Sequence, residues 1–185
     1  MDLPGVHAAG RLDPGTAHLL ANLDDLTTST PDGAPGTVVD LGCGDGIVGL
    51  AVARAHPGCE LVMVDDSPLA VASAELTLRR NLGDLSRMRF VVADVFEDQP
   101  GGCVVVPGSV DAVLANPPFH MDRAMGDQIA WRMFSEAHRV LRSGGELRVV
   151  GNRHLGYHAK LSRLFGSSEV LGADPRFVVC RAFRR

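Results

Sequence analysis

The stretch TVVDLGCGDG, residues 37–46, joins a short apolar run to a turn that is rich in glycine. Its β-branched residues, Val38 and Val39 among them, predict a buried strand. The segment that follows, GIVGLAVARAH (46–56), repeats its apolar residues at helical spacing. A strand that turns sharply on glycines into a helix is the first unit of an alternating α/β fold.

The same alternation continues along most of the chain. Further strands are predicted at ELVMVD (60–65), MRFVVAD (88–94), VDAVLAN (110–116) and GELRVVGN (145–152), with EVLGA (169–173) and RFVVCRAF (176–183) as a closing antiparallel pair. Helices are predicted over 68–81, 127–141 and 154–165, the second of them stopped by Gly144 and Gly145. Strands separated by helices imply right-handed crossovers. We therefore expect an α/β fold with a Rossmann-like, doubly wound, mostly parallel sheet of seven strands and an antiparallel C-terminal hairpin.

The composition is typical of one globular domain. The chain has 185 residues, of which 45% are hydrophobic, and we expect residues 1–185 to form a single domain with a sheet core at 37–185. A helix at about 14–26 and a polar loop precede that core. No apolar stretch is long enough to span a bilayer and no signal peptide is visible, so we expect a cytoplasmic protein without a membrane partner.

The four cysteines, Cys43, Cys59, Cys103 and Cys180, form no CxxC pair. This spacing argues against a zinc cluster and against a disulfide framework. We expect reduced thiols in or near the core. His154 and His158 have a spacing that suits a metal, but no third ligand is near them in sequence, so no metal site is predicted.

Charge is divided unevenly along the chain. Residues 1–129 carry a net charge of −11 and residues 130–185 a net charge of +7, within a total of −4. A basic C-terminal third suits a phosphate-bearing partner, although a solvated arginine-rich face has the same composition. The candidates for phosphate contacts are Arg139, Arg142, Arg153, Lys160, Arg163, Arg184 and Arg185.

Acidic residues stand at the ends of three consecutive predicted strands. Ligands of doubly wound sheets bind outside the carboxyl ends of the strands. Asp40 precedes the glycine turn, Asp65 is placed to accept hydrogen bonds from ribose hydroxyls, and Asp94 is placed to accept one from an adenine amino group, with Val95 against the ring. The remaining candidates for contact with a nucleoside cofactor lie in the same turns: Gly42, Cys43, Gly44, Gly46, Asp66 and Ser67.

Gly44, Gly46 and Gly49 also satisfy the dinucleotide pattern GxGxxG, which keeps a dehydrogenase open as an alternative. That pattern begins after the first glycine of the turn, Gly42, and an acid precedes the turn. A carboxylate at position 40 would repel a pyrophosphate, whereas it suits the cationic sulfonium of S-adenosylmethionine. The turn therefore favours S-adenosylmethionine as the cofactor.

The strand at 110–116 ends in the rigid corner Asn116-Pro117-Pro118-Phe119. Prolines cannot continue a central strand, and here they direct the backbone into the predicted crevice. If the Asn116 side-chain oxygen and the Pro117 carbonyl each accept one hydrogen of a planar amino group, the nitrogen lone pair is directed at a methyl donor. Phe119 would then stack on the base. Asn116 is accordingly also a candidate for cofactor contact.

The order DxGxGxG, Asp, Asp, NPPF resembles the class I S-adenosylmethionine-dependent methyltransferases that act on planar nitrogens. NPPFH, Trp131 with its neighbours, and GELRVVGNRHLGY are similar to the catalytic domain of ribosomal RNA guanine-N2 methyltransferases, the large-subunit type more than the small-subunit type. The resemblance implies methyl transfer to the N2 amino group of a guanine in ribosomal RNA. It covers nearly the whole chain.

The resemblance also implies roles for individual residues. GRLDPGTAHLL resembles a segment that closes over the cofactor, so residues 1–36 are expected to do so, with Asp13 and Gly15 on the methionine side. Phe119, His120, Asn152, Arg153 and His154 are candidates for contact with the flipped nucleotide or its phosphate. Trp131 is expected to pack rather than to serve as a platform for a base. Members of this family usually carry a second, degenerate domain in front of the catalytic one.

Other functions remain open at this point. Adenine N6 in nucleic acid and a protein glutamine amide are planar nitrogens that the same corner would suit. A cofactor-binding RNA scaffold without activity is a further alternative, although a degenerate copy would be expected to have lost Asn116 and the glycine turn. The oligomeric state has no signal in the sequence.

Overall fold

The computed structural model describes residues 12–23, 25–26, 36–96, 104–117 and 123–185. Five helices lie within these ranges: α1 Pro14–Leu20, α2 Ile47–Ala55, α3 Pro68–Asn81, α4 Arg123–Val140 and α5 Tyr157–Phe165. The strands are β1 Thr37–Leu41, β2 Glu60–Asp65, β3 Met88–Val92, β4 Val110–Ala115, β5 Leu141–Asn152, β6 Glu169–Ala173 and β7 Phe177–Phe183. Strand and helix alternate from α1 to β3 and from β4 to β6, whereas among the described elements β3 is followed by β4 and β6 by β7.

The seven strands form one sheet in the order β3-β2-β1-β4-β5-β7-β6. The first five are parallel, and β7 runs antiparallel to both β5 and β6. The predicted Rossmann-like sheet with its antiparallel C-terminal hairpin is confirmed. The strand order reverses between β1 and β4, and in such sheets the crevice at this reversal is where ligands bind.

Two apolar layers cover the sheet. Helices α4 and α5 pack on one face through Phe134 and Leu161, both fully buried. Helices α1, α2 and α3 pack on the other, where Leu19 and Leu78 are fully buried. Because both faces are covered, the central strands are apolar on both sides, as parallel strands usually are.

Three predicted boundaries differ from the structure. α1 ends at Leu20 rather than near residue 26, although Leu23 and Leu26 are still buried. α4 passes directly into β5 at Leu141, so Gly144 and Gly145 lie within the strand rather than stopping the helix. Pairing explains this early start, because Leu141 is in register with β4 and Gly144 N–H donates to Arg184 O at 2.7 Å. Gly156, with φ +64°, divides the last predicted helix into a 3₁₀ turn at Arg153–Leu155 and α5.

Cys43, Cys59 and Cys180 are buried and unpaired, whereas Cys103 lies outside the described residues. In the part of the chain that is described, no helix combines the length and apolar character that a membrane span needs. The same residues contain no group of three or more histidine, cysteine or acidic side chains placed to hold a metal ion.

Candidate functional site

A cleft of about 390 Å³ lies at the carboxyl ends of β1, β2, β3 and β4. Its volume is within the ~300–1,000 Å³ range of small-molecule sites. The start of α1 and the middle of α4 form its walls. The lining residues are Leu12, Asp13, Thr16, Asp40, Leu41, Gly42, Cys43, Gly44, Asp45, Val48, Val64, Asp65, Asp66, Ala93, Asp94, Val95, Asn116, Ile129, Arg132 and Met133.

The glycine turn is attached to the neighbouring strand β2. The backbone N–H groups of Gly42 and Cys43 donate to Val64 O at 2.8 and 3.0 Å. Gly44 N–H donates to Asp65 Oδ2 at 3.0 Å. Gly44 has φ +52°, and the space where a side chain would project from it is empty to 4 Å. The turn therefore presents bare backbone to the cleft.

Asp40 lies beneath this turn and is 3% exposed. Its Oδ2 accepts a hydrogen bond of 2.9 Å from Gly49 N–H. Burial raises the pKa of Asp40 to about 7, and the nearby carboxylates of Asp65 and Asp45 act in the same direction. A cation bound in the cleft would reverse that effect and favour the ionised form.

Asp65 and Asp66 follow one another at the end of β2. The two oxygens of Asp65 accept hydrogen bonds from Gly44 N–H and from Ser67 N–H, each at 3.0 Å. A carboxylate oxygen has two lone pairs, so each retains capacity for a ligand hydroxyl. Burial raises the pKa of Asp65, and the adjacent Asp66 raises it further. Asp66 itself is exposed.

Asp94 and Val95 lie where the chain leaves β3. Asp94 forms an ion pair with Arg132 of α4, and both side chains are about half exposed. The carboxylate predicted to meet an adenine amino group is thus already paired across the mouth of the cleft. Val95 has φ +60°, a conformation that β-branched residues avoid. Such strain costs on the order of 1–3 kcal/mol and is concentrated at functional sites.

Asn116 is held by two residues from the start of α1. Its Nδ2 donates to Asp13 Oδ2 at 3.0 Å and to Thr16 Oγ1 at 2.9 Å. Asp13 is the N-cap of α1, and its Oδ2 also accepts from Thr16 N–H at 2.9 Å. Because a carboxylate only accepts hydrogen bonds, the NH₂ end of the amide must be the one that faces Asp13. Asn116 Oδ1 is left buried and without a partner among the described residues.

A buried ion network attaches the segment after α1 to the sheet. Arg148 of β5 is fully buried and donates to Glu146 at 2.9 and 3.0 Å, to Asp25 Oδ1 at 2.9 Å and to Asn22 O. Arg181 of β7 also donates to Asp25, at 2.8 Å. Burial raises the pKa of Glu146, even though Arg148 opposes this. For Asp25, burial opposes ionisation, but Arg148 and Arg181 outweigh it and lower the pKa.

Most of the predicted cofactor residues line this cleft, and three lie outside its lining: Gly15, Gly46 and Ser67. Gly15 is buried in α1. Gly46 has φ +82°, and a side chain there would meet the Ala74 backbone of α3 at 2.8 Å, so this glycine serves close packing. Ser67 caps α3 by accepting from Ala70 N–H at 3.3 Å. These three residues shape the frame of the cleft.

The structure describes only some of the predicted catalytic and substrate residues. Pro117 is buried directly after Asn116, whereas Pro118, Phe119 and His120 lie outside the described residues. Asn152 ends β5, Arg153 and His154 come directly after it, and none of the three lines the cleft. Arg153 instead donates to Asp174 O at 3.1 Å, at the turn between β6 and β7.

Sequence reasoning missed several residues that line the cleft or hold it. Thr16 stands three residues after Asp13, a spacing that indicates a helix cap but not the bond to Asn116. Ile129, Arg132 and Met133 come from α4, whose apolar periodicity indicates a face packed on the core and carries no signal of contact with the cleft. Arg148 lies in an apolar strand, where its alternation with Glu146 was the available signal.

Comparison with known proteins identifies the family. The methyltransferase small domain model matches residues 1–181. The chain belongs to the methyltransferase small domain family. This small domain is 50% identical over 181 residues to a Streptomyces avermitilis protein named ribosomal RNA large subunit methyltransferase G, covering 98% of the chain and 44% of that protein. The protein of the same name from Aeromonas salmonicida is 46% identical over 175 residues, which cover 94% of the chain and 43% of that protein.

A solved structure shows the same fold with ligands present. It is the T. thermophilus 16S rRNA N2 methyltransferase RsmC, in complex with AdoMet and guanosine. The methyltransferase small domain described here is 30% identical to it with a TM-score of 0.78, and the match covers 100% of this chain and 46% of that one. The chain thus spans less than half the length of the curated relatives and of this structural neighbour.

Proposed function

We propose that this domain transfers a methyl group from S-adenosylmethionine to the exocyclic N2 amino group of a guanine in ribosomal RNA. The observation that carries the proposal is the buried Asn116 Oδ1, which has no partner among the described residues while both hydrogens of the same amide are taken. The relatives named large subunit methyltransferase G and the neighbour RsmC support the substrate class. A ribosomal RNA substrate would place the protein in the cytoplasm.

The donor set of the cleft fits S-adenosylmethionine. Among the described residues, its lining includes Asp13, Asp40, Asp45, Asp65, Asp66 and Asp94 but a single arginine, Arg132, which is paired with Asp94. Such a cleft attracts a cation and repels a pyrophosphate, which counts against a dinucleotide. Bound there, S-adenosylmethionine supplies an electrophilic methyl group on a sulfonium. In this proposal Asp40 provides negative potential for the cation. Asp65 and Asp66 accept hydrogen bonds from the ribose hydroxyls, and the exposed backbone of residues 42–44 contacts the cofactor.

The residues that follow β3 would bind the adenine of the cofactor. Val95, held at φ +60°, is 9% exposed and lines the cleft beside Asp94. One oxygen of Asp94 is paired with Arg132. An adenine amino group would therefore donate to the other oxygen, or Arg132 would move away from Asp94 when the cofactor binds. Arg132 would then act as a closing residue at the mouth of the site.

Asn116 would orient the nitrogen that is methylated. A guanine amino group is a poor nucleophile because its lone pair is delocalised into the ring. A hydrogen bond from that amino group to Asn116 Oδ1, and a second to the Pro117 carbonyl, would fix the direction of the lone pair. In the proposal Phe119, which lies outside the described residues, stacks on the base, and Pro118 stiffens the corner. Asn116 is an amide, so it orients the amino group and does not remove its proton.

Asp13 and Thr16 would hold Asn116 in that orientation. They take the two amide hydrogens, and a rotated amide would set its oxygen against the Asp13 carboxylate. The oxygen therefore stays available for a donor. Pre-set polar groups of this kind avoid the cost of reorganisation at the moment of reaction.

A product analysis tests the proposal. The protein is incubated with methyl-labelled S-adenosylmethionine and, separately, unmodified ribosomal RNA, assembled ribosomal subunits and a release factor, and the modified nucleoside or residue is identified by mass spectrometry. N2-methylguanosine is expected, and Asn116→Ala should form it roughly 10²–10³ times more slowly. N6-methyladenosine or a methylated glutamine would reject the guanine assignment. Absence of transfer to every substrate would reject the enzymatic function.

A cofactor titration tests the other half of the proposal. Calorimetry should show binding of S-adenosylmethionine and none of NAD to the wild-type protein. Asn116→Ala should retain affinity for the cofactor, since the variant leaves the glycine turn and Asp40 in place. Binding of NAD alone would overturn the assignment of the cleft.

A further inference from the structure

A second concave surface lies on α4 beside the cleft. This groove of about 480 Å³ is lined by Asp127, Gln128, Trp131, Arg132, Ser135 and Lys160. Arg132 lines both the groove and the cleft, so the two surfaces meet at one side chain on adjacent faces of α4.

Trp131 is the aromatic side chain of the groove. It is 38% exposed, whereas Met133 and Phe134 of the same helix are buried in the core. Trp131, which was expected to pack, therefore packs only in part, and some of its ring is open to solvent. The partly exposed ring lines the groove, and an indole ring suits stacking with a base.

One basic side chain lies beside the indole, and another lines the same groove. The Arg163 guanidinium lies 5.7 Å from the centre of the Trp131 ring. Lys160 donates a hydrogen bond of 2.7 Å to Asp127 and so neutralises the acidic side chain of the groove. Its ammonium also lies 5.4 Å from the centre of the Tyr157 ring. α5 contributes Lys160 and Arg163 and contains no acidic residue. This part of the molecule carries net positive charge on a chain whose first 129 residues carry −11, so it would attract a polyanion.

We propose that this groove binds the single-stranded RNA next to the target nucleotide. Trp131 stacks on a flanking base, and Arg163 and Lys160 contact the phosphates on either side. The inference rests on the proposed function, because it assigns the path of the RNA that leaves the cleft. An indole beside a guanidinium favours RNA over a protein partner, since both groups have flat faces that stack on bases while the cations pair with phosphate.

Tryptophan fluorescence tests the contact directly, because Trp131 is the only tryptophan in the chain. Titration with a short single-stranded RNA that contains guanosine should quench its emission with the same midpoint as binding followed by anisotropy of a labelled RNA. Free guanosine, which is too small to reach from the cleft into the groove, should leave the emission unchanged. RNA binding without a change in emission would overturn the proposal.

Variants give a second measurement. Trp131→Ala and Arg163→Glu should each weaken RNA binding about tenfold, and Trp131→Phe should retain most of the affinity because a ring remains. Arg80→Glu, an exposed arginine of α3 on the opposite face of the sheet, makes the same charge change and should have little effect. Unchanged affinity for S-adenosylmethionine shows that each variant is folded. Equal RNA affinity of the wild type, Trp131→Ala and Arg163→Glu would assign the exposed indole to a protein contact instead.

These measurements stand apart from catalysis. If the protein binds RNA through Trp131 but transfers no methyl group, the proposed function is rejected and the RNA-binding role of the groove is retained. If the wild type makes N2-methylguanosine and Trp131→Ala has unchanged turnover and RNA affinity, the RNA-binding role of the groove is rejected and the proposed function is retained.

Discussion

The side-chain amide nitrogen of Asn116 donates a hydrogen bond of 3.0 Å to Oδ2 of Asp13, which stands 103 residues earlier in the chain. The contact joins the end of β4 to the N-cap of α1. Thr16 Oγ1 accepts the second amide hydrogen at 2.9 Å and donates to the same Asp13 oxygen at 3.3 Å. This triad decides which end of the Asn116 amide is left for a ligand.

Removing the Thr16 hydroxyl should lower turnover. Thr16→Val keeps the shape of the side chain but no longer accepts the Asn116 hydrogen, so the amide is less firmly oriented. We expect kcat to fall about tenfold, which corresponds to roughly 1.4 kcal/mol, with little change in cofactor affinity. Asn116→Ala should cost on the order of 10²–10³ in kcat, as for other preorganised polar contacts to a reacting group. The measurement is single-turnover methyl transfer to RNA.

Thr16→Ser is the matched control, because it restores the hydroxyl without the methyl group. It should recover most of the turnover lost in Thr16→Val. If serine and valine at this position were equally slow, the defect would lie in the packing of α1 rather than in the orientation of Asn116.

Cofactor affinity should rise with pH through about 7. The pKa of Asp40 is raised to about 7 by burial, so below that pH the carboxyl is neutral and no longer attracts a cation. Isothermal titration from pH 6 to pH 8 should show tighter binding of S-adenosylmethionine at the higher pH. Asp40→Asn should bind weakly at pH 8 and lose most of this dependence. Asp84→Asn removes an exposed acid near the start of β3 and should behave as the wild type.

The stability of the ligand-free protein should change in the opposite sense. A carboxyl whose folded pKa exceeds its unfolded value makes the folded state bind more protons, so its contribution to stability is lost as pH rises from about 4 to about 7. Asp40→Asn, which can still accept from Gly49 N–H, should therefore raise the melting temperature at pH 8 and leave it nearly unchanged at pH 4. An equal shift at both pH values would show that ionisation of Asp40 is not the cause.

At position 95, a glycine variant should be at least as stable as an alanine variant, which is the reverse of the usual order within a strand. At φ +60° an alanine retains the backbone strain that a glycine relieves, so Val95→Gly should be at least as stable as Val95→Ala. Val91, within β3, is the matched position, and there glycine should be less stable than alanine by about 1 kcal/mol. Urea unfolding of the four variants measures both differences. If glycine were less stable than alanine at both positions, backbone strain at Val95 would be ruled out.

Arg148→Met should destabilise the fold strongly. Glu146 is fully buried, and the change removes the cation that donates to it at 2.9 and 3.0 Å. Breaking a buried pair in this way costs about 3–5 kcal/mol. The double variant Arg148→Met with Glu146→Leu should recover much of the loss in urea unfolding, because an apolar pair leaves no unpaired charge. A double variant less stable than Arg148→Met would contradict this account.

The fold followed closely from local patterns. Strand β2 and helix α3 begin and end where the periodicity and the Ser67 cap predict. The acids that line the cleft were predictable as a group, because Asp40, Asp65 and Asp94 each follow an apolar run and parallel strands end at one edge. Gly46 shows the limit of local patterns: a glycine needed for contact with a ligand and one needed for close packing on α3 look alike in sequence.

What the sequence determined by itself was the order of elements, the crevice and the chemical character of its lining, since hydrophobic period and turn chemistry act over a few residues. The tertiary structure alone decided that Asp13 and Thr16 lock the Asn116 amide, that Arg148 is buried with Glu146, and that Trp131 faces outward. Each of these depends on which distant segment satisfies or covers a side chain. That choice is made by packing between elements, and no local pattern contains it.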